Sequence, residues 1–185
     1  MNTLDFREWL LDSIRQDYKK WTLDRSWLEE NRNPWADTAI YAIRHILNGG
    51  SLIIATDEKR AWFESYALSK FFQSGQNRPL LPIFSLNKIL PPDFVIHKSN
   101  IQNIYNMLHI AYNKYMFWYI GQVNNDIAHL CLGQDFTLVW SFDEGIKNSF
   151  YLRSNDPFLD IKLIEMLDLF EKAIYAVILE QVVLE

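Results

Sequence analysis

One strand-to-helix junction constrains the fold of this chain more than any other segment. Gly49-Gly50 ends a predicted helix, residues 51–55 form a short apolar strand, and residues 56–60 begin another helix. In open α/β folds an anionic ligand binds at such a junction, because the helix N-terminus offers free N–H groups. The turn usually contains glycines, which let the backbone approach the anion. Here it has none and carries Asp57 and Glu58. This pattern indicates a ligand-binding fold with a filled ligand site, and so a binding protein rather than an enzyme.

Strands and helices alternate from residue 50 onward. This order predicts a three-layer α/β fold with a doubly wound, mostly parallel five-stranded sheet. Residues 115–120 are almost wholly apolar or aromatic, which is typical of a central strand buried on both faces. Pro82 implies that its strand lies at an edge or contains a bulge. The predicted strands are 51–55, 80–84, 115–120, 136–142 and 149–152.

The length of 185 residues fits one domain with a sizeable core. We expect helices in residues 1–50, the sheet and its crossover helices in residues 51–155, and a long C-terminal helix in residues 156–185. Thr3 is expected to cap the first helix, and residues 74–77 are expected to form a loop.

Composition narrows the class of partner and the compartment. A net charge of −5 argues against non-specific binding of nucleic acid, which requires clustered Lys and Arg. The single Cys131 excludes an internal disulfide and is expected to be a small buried residue in a reducing cytosol. The most apolar stretch, residues 173–179, is far shorter than the roughly 20 residues of a membrane span. We therefore expect a cytoplasmic protein that does not enter a membrane.

Motifs for catalysis, cofactors and metals are absent from the sequence. It contains no H-E-x-x-H, no Cys pair, no G-x-S-x-G, no Walker motif and no G-x-G-x-x-G. His129 lies two residues from Cys131, and residues two apart on a helix do not face each other. Four acids near predicted strand ends are the remaining candidates for catalysis, although acids are also ordinary caps and turn formers: Asp126, Asp135, Asp143 and Glu144. We expect no enzymatic activity, no cofactor and no metal.

The predicted C-terminal helix is apolar around most of its circumference between Phe158 and Leu184, whereas a surface helix has one apolar stripe. Such a helix must be covered on more than one side. The sheet can cover one side, and we expect a partner subunit to cover the other. The alternative is a central helix buried within one chain. A length of about 40 Å, at about 1.5 Å per residue, disfavours that alternative in a domain of this size.

Several segments resemble the HobA family, the replication-initiation regulators of Helicobacter and Campylobacter relatives. They are SLIIATD at 51–57, RAWF at 60–63, RPLLPI at 78–83, WLEE at 27–30 and the helix that contains Trp35. The resemblance implies the fold of sugar isomerase (SIS) domains, a five-stranded parallel sheet between helices. It also implies a homotetramer built as a dimer of dimers, which binds the N-terminal domain of the initiator DnaA. DiaA, a functional counterpart, shares the fold.

The function that the resemblance implies is a non-enzymatic scaffold that promotes DnaA assembly at the chromosomal replication origin, with DnaA making the DNA contacts. We expect Phe170 and Tyr175 on the C-terminal helix to contact the partner. One alternative is an SIS-type sugar-phosphate binding protein or isomerase. SIS domains that bind sugar phosphates have a Gly/Ser-rich loop where this chain has TDEK at 56–59. Another alternative is a structural oligomer with a different protein client.

Overall fold

The structure, a computed structural model, describes residues 4–17, 26–72 and 79–184. Its helices are α1 (Phe6–Asp17), α2 (Ser26–Glu30), α3 (Arg32–Leu47), α4 (Ala61–Phe71), α5 (Leu86–Ile89), α6 (Ile101–Ala111), α7 (Asp126–Leu132) and α8 (Leu159–Ile178). Its strands are β1 (Leu4–Asp5), β2 (Ser51–Thr56), β3 (Ile83–Ser85), β4 (Tyr115–Gln122), β5 (Thr137–Phe142), β6 (Ser149–Leu152) and β7 (Val182–Val183). Short 3₁₀ turns, Glu58–Arg60 and Lys98–Asn100, precede α4 and α6. The predicted cap Thr3 and the predicted loop 74–77 lie outside the described residues.

The main sheet has five parallel strands in the order β3-β2-β4-β5-β6. The predicted α/β fold with a five-stranded parallel sheet is therefore confirmed. From β2 the chain first goes to β3 on one side and then crosses to β4 on the other. The direction of winding reverses between β2 and β4, and in doubly wound sheets ligands bind beyond the carboxyl ends of such a strand pair.

Strand β4 separates two apolar clusters, one on each face of the sheet. Met116, Trp118 and Ile120 face the first cluster, which α1, α3, α4 and α8 complete. Phe117 and Tyr119 face the second, which α5, α6 and α7 complete. Because side chains alternate along a strand, an almost wholly apolar strand must lie between two such layers, as residues 115–120 predicted.

The edge position expected from Pro82 is confirmed, since β3 is an outer strand of the sheet. The strand itself begins at Ile83, one residue after the proline. The carbonyl oxygen of Pro82 accepts the N–H of Leu52 on β2 at 2.9 Å. Pro82 has no N–H to donate, so it stands just before the strand, where only its carbonyl oxygen is needed.

Helix α8 is shorter than predicted, and the expected helix that outruns the domain is wrong. It ends at Ile178 and has 20 residues. At a rise of about 1.5 Å per residue, its length is about 30 Å. Glu180 has a φ of 56°, its N–H bonds to the carbonyl of Val177 at 3.0 Å, and the Gln181 N–H bonds to that of Ala176 at 2.9 Å. This left-handed turn reverses the chain into β7, which pairs in parallel with β1.

The chain itself covers the large apolar surface of α8. Leu163, Met166, Leu167 and Phe170 are fully buried. They belong to the cluster that includes α1, α3, α4 and β4. The alternative of a central helix buried within one chain therefore describes α8. The expectation that a partner subunit is needed to cover its second side is wrong for these residues.

The left-handed turn after α8 leads to a prediction. Replacing Glu180 with glycine should raise the free energy of unfolding by about 0.5–1 kcal/mol, because a positive φ strains every residue that has a Cβ. Urea unfolding measures the change. The matched control is Ile110→Gly, at an 88% exposed position within α6. Glycine inside a helix should instead lower the free energy of unfolding, by about 0.5 kcal/mol. Equal losses from both substitutions would contradict the strain at residue 180.

Candidate functional site

The side chain of Asp57 lies at the carboxyl edge of the sheet, where the direction of winding reverses between β2 and β4. This residue is only 9% exposed. Oδ1 accepts the N–H of Arg60 at 3.1 Å, and Oδ2 accepts the N–H of Gln122 at 2.8 Å. The guanidinium of Arg60 lies 3.1 Å from Oδ2. A carboxylate of the chain therefore lies at the carboxyl ends of the strand pair beyond which ligands bind in doubly wound sheets.

Side chains from the ends of β4 and β5 hold this arrangement in place. Arg60 is 5% exposed, and its guanidinium lies 4.2 Å from the centre of the Phe142 ring. The Gln122 side chain donates from Nε2 to Oδ2 of Asp143 at 3.3 Å. Asp143 also accepts the N–H of Ser154 at 2.8 Å, and these hydrogen bonds hold the pKa of its carboxyl below the usual range. Hydrogen bonds within the chain therefore connect the ends of β2, β4 and β5 at this edge of the sheet.

Gly121 allows this close packing. A Cβ at this position would lie 2.8 Å from Asp57 Oδ2 and 2.8 Å from the Tyr119 hydroxyl oxygen. The Tyr119 hydroxyl donates to the carbonyl oxygen of Gln122 at 2.5 Å and accepts Nδ2 of Asn125 at 2.8 Å. Burial raises the pKa of Tyr119. The uncharged Tyr119 hydroxyl thus connects the end of β4 to Asn125, just before α7, by hydrogen bonds.

A second carboxylate, Glu64 on α4, is buried next to the same edge with 3% exposure. It accepts hydrogen bonds from Ser85, from Asn87 Nδ2 at 2.8 Å and from Thr56 Oγ1 at 3.5 Å. Burial raises the pKa of Glu64, and these three donors offset part of that rise. Glu64 therefore ties α4 to the ends of β2 and β3.

The four acids proposed from the sequence as catalytic candidates have separate local environments. Asp143 accepts from Gln122 and Ser154, and Asp126 lies 3.5 Å from Nδ1 of His97. Asp135 lines a cleft at the opposite end of the strands, and Glu144 is exposed. Cys131 is buried, which raises the pKa of its thiol. Within the ranges that the structure describes, no group of three or more His, Cys, Asp or Glu side chains could hold a metal ion.

The two residues predicted to contact a partner have different surroundings. Phe170 has no exposed surface, and its ring centre lies 5.0 Å from that of Trp118 and 6.5 Å from that of Trp35. It is a core residue, which argues against direct contact with a partner. Tyr175 is half-buried near the end of α8. Its role in partner binding stays a prediction.

A groove lies where the ends of α3 and α8 meet β7. We call it the C-terminal groove, and its volume is about 510 Å³. Leu47 and Val183 are its exposed apolar residues, and Arg44 and Glu180 add one charge of each sign. Arg44 also donates to the carbonyl oxygen of Leu184 at 3.0 Å. The lining is Arg44, Leu47, Asn48, Val177, Glu180, Val182, Val183 and Leu184.

Other exposed apolar groups lie elsewhere on the surface. The rings of Tyr41 and Phe136 stack at 5.1 Å beside a cleft of about 840 Å³ between α3 and the amino ends of β4, β5 and β6, which we call the lateral cleft. Trp62 and Tyr66 are both exposed, one turn apart on α4. Such exposed rings are favoured anchors for protein partners. Sequence reasoning did not separate them from the many core aromatics, because both kinds occur on the same helices and strands.

In the part of the chain that the structure describes, no helix is long and apolar enough to cross a membrane.

Comparison with known proteins gives one consistent family. The family model described as HobA, a DNA replication regulator, matches residues 1–184. The chain is 29% identical over 182 residues to the DNA replication regulator protein HobA of Helicobacter pylori (strain ATCC 700392 / 26695), covering 97% of this chain and 99% of that protein. It is similar, with a TM-score of 0.78 and 29% identity, to the crystal structure of a HobA–DnaA (domain I–II) complex from Helicobacter pylori. For a crystal structure of HobA from the same organism, the values are 0.75 and 28%. Each of the two structural matches covers 97% of this chain and 99% of the other.

The tight packing at Gly121 predicts the effect of a single methyl group, because the new Cβ would meet a held carboxylate and a held phenol. Gly121→Ala should lower the free energy of unfolding by about 1–3 kcal/mol. Chemical denaturation measures the loss. Gly145→Ala is the matched control, since its Cβ would meet nothing within 4 Å. The control should stay within about 0.5 kcal/mol of the wild type. A tolerated Gly121→Ala would show that Asp57 and Tyr119 are free to move aside.

The raised pKa of Glu64 predicts how stability varies with pH. Above the ordinary pKa of a glutamate, the unfolded chain releases this proton and the folded chain retains it, so this group destabilises the fold as the pH rises toward its folded pKa. Glu64→Gln cannot ionise, so its stability relative to the wild type should increase across that window. Urea unfolding from about pH 4 to about pH 8 measures the difference. The exposed Glu58→Gln is the control, and an identical pH dependence for both variants would contradict the effect of burial.

Proposed function

The chain belongs to the HobA family of DNA replication regulators, and on that premise we propose that it binds the N-terminal part of the initiator DnaA and promotes DnaA assembly at the chromosomal replication origin. The observation that carries this proposal is the similarity, over nearly the whole chain, to a HobA crystallised with domains I–II of DnaA. Because the two proteins share fold and length, the helices and strands that form a DnaA-binding surface in that protein have counterparts in this chain.

The role is that of a scaffold and not of an enzyme. Asp57 and Arg60 satisfy each other at the edge where a substrate anion would bind in this class of fold, which supports a non-catalytic protein. The net charge of −5 supports leaving the DNA contacts to DnaA. Such a protein acts in the cytoplasm, where the chromosome is.

The scaffold works by presenting several identical sites. We propose a homotetramer, built as a dimer of dimers, in which each protomer holds one DnaA molecule. Bound molecules then gain effective concentration for one another without new contacts between them. The exposed apolar groups support this arrangement, because the C-terminal groove, the lateral cleft and the Trp62–Tyr66 pair leave surface for both copies of the chain and a partner.

Residues 1–185 act as one domain in this proposal. The pairing of β1 with β7 joins the N-terminal region to the segment after α8. Helix α8 packs against α1, α3 and α4 in one core. These contacts support one folded unit whose C-terminal segment is held in place for docking.

We assign DnaA docking to the C-terminal groove and to Tyr175, which lies two residues before Val177 of the groove lining. The groove combines exposed aliphatic side chains with a charge of each sign at its rim, a composition suited to a protein surface that is partly apolar. Phe170 contributes from the core, by holding α8 against β4. The lateral cleft is the second candidate surface, because it is larger and carries the stacked Tyr41 and Phe136 rings.

Two other functions are distinguished by experiment. A sugar-phosphate binding protein or isomerase would need an open anion site, which Asp57 opposes; a thermal shift with sugar phosphates would reveal it. A structural oligomer with another client would form the same particle but ignore DnaA.

The test is calorimetric titration of the purified protein with DnaA domains I–II, with light scattering for the mass of the particle. We expect a mass of four 22.0 kDa chains, which grows as DnaA is added. Leu47→Lys should weaken binding about tenfold or more, because it places a charge on the apolar groove. The control is Ile110→Lys, at an exposed position on α6. It should change the affinity less than about twofold.

The outcomes separate the proposed function, DnaA binding, from the proposed docking surface. If the wild type does not bind domains I–II, the proposed function is wrong. If it binds and Leu47→Lys behaves like Ile110→Lys, the groove is wrong, and Phe136→Lys then tests the lateral cleft. A variant that changes the mass of the particle acts on the oligomer instead.

A further inference from the structure

The chain has a complete set of anion-binding groups at the reversal between β2 and β4. Three groups point to the same place: the N–H of Arg60, the N–H of Gln122 and the guanidinium of Arg60. We call this set the anion cradle. Backbone N–H groups and arginine guanidinium groups are donors that recognise oxyanions in proteins. Here one guanidinium nitrogen, Nη1 of Arg60, faces both carboxylate oxygens. We propose that Asp57 is a built-in anion, whose carboxylate occupies this cradle in place of a diffusible oxyanion ligand.

Both oxygens of Asp57 are used as those of a bound ligand would be. Oδ1 accepts the Arg60 N–H at 3.1 Å and faces Nη1 of the same residue at 3.4 Å. Oδ2 accepts the Gln122 N–H at 2.8 Å and faces Nη1 at 3.1 Å. The carboxylate therefore bridges β2 to the end of β4, the two strands between which a ligand of such a sheet binds.

The cradle is rigid and fits a group the size of a carboxylate. Arg60 is almost fully buried with its guanidinium over the Phe142 ring, so it has few alternative positions. On the other side, Oδ2 packs so close to Gly121 that a Cβ there would come within 2.8 Å of it. The Asp57 carboxylate fills the cradle, so a diffusible anion can bind there only where this carboxylate is absent.

The consequence is that the donors of the anion cradle are satisfied by Asp57 without any bound metabolite. Arg60 directly precedes α4, which bears the exposed Trp62 and Tyr66. Because the chain supplies its own anion, the start of α4 is fixed whether or not a ligand is available. This inference concerns the cradle alone and does not depend on DnaA binding.

Chemical rescue tests the proposal. Asp57→Ala removes the carboxylate and keeps the Cβ, so formate is the anion that restores the missing group. The variant should have a lower Tm than the wild type, and sodium formate should raise that Tm saturably, by about 4 °C at a concentration about ten times its Kd. Sodium chloride at equal ionic strength corrects for salt. The wild type should show no formate response beyond chloride, because its cradle is filled.

Two further variants decide the result. Asp57→Ala/Arg60→Met lacks the guanidinium and should lose the formate response, which would assign the binding to the cradle. Asp57→Ser keeps a short acceptor for the Arg60 N–H and should respond like Asp57→Ala, so it replaces that variant if Asp57→Ala does not fold. Three results would overturn the proposal. The first is a rise in Tm with formate that is as large in the wild type as in Asp57→Ala. The others are no rise in either Asp57→Ala or Asp57→Ser, and a rise in Asp57→Ala/Arg60→Met as large as that in Asp57→Ala.

Discussion

Strand β4 presents a large side chain to each face of the sheet, and every other layer packs against one of them. On the first face, Trp118 has edge contacts to Trp140 and Phe170, both with ring centres at 5.0 Å. On the second, Phe117 and Tyr119 are fully buried under α6 and α7. Each such side chain contributes about 1.5–3 kcal/mol through burial of apolar surface. Helices α4 and α8 both pack on the first of these faces.

The carboxyl edge of the sheet carries a buried ion pair between Asp57 and Arg60. In a doubly wound sheet, the carboxyl ends at the reversal point form the natural ligand site. Here they meet at Asp57, Arg60 and Gln122, whose hydrogen bonds are satisfied within the chain. A buried ion pair of this kind adds little net stability, because desolvation of both charges offsets their attraction. Its hydrogen bonds join residues 57 and 60 to the end of β4.

The sequence predicted some elements well because local chemistry dictates them. The central strand at 115–120 and the outer strand next to Pro82 follow from burial and from a missing N–H, and both are observed. The prediction of a filled ligand site rests on an acid, Asp57, where glycine would be expected, and Asp57 accepts hydrogen bonds from Arg60 and Gln122. Helix α8 ends earlier than the sequence predicts, because Glu180 takes the left-handed position without the glycine that usually marks a helix end. The sequence also predicts Phe170 as a contact residue, and its ring is fully buried. Periodicity shows how much of a helix is apolar but not what covers it.

By itself, the sequence determined the alternation of strands and helices, the central strand and the presence of acids at the junction after β2. These depend on residue type at a given position along the chain, and elementary stereochemistry links the two directly. Only the tertiary structure decided that the chain itself covers α8, that Gln122 completes the cradle of Asp57, and which aromatic rings reach the surface. Each of these depends on contacts between residues distant in sequence, such as Asp57 with Gln122 and Phe170 with Trp118. Such contacts exist only once the sheet has brought its layers together.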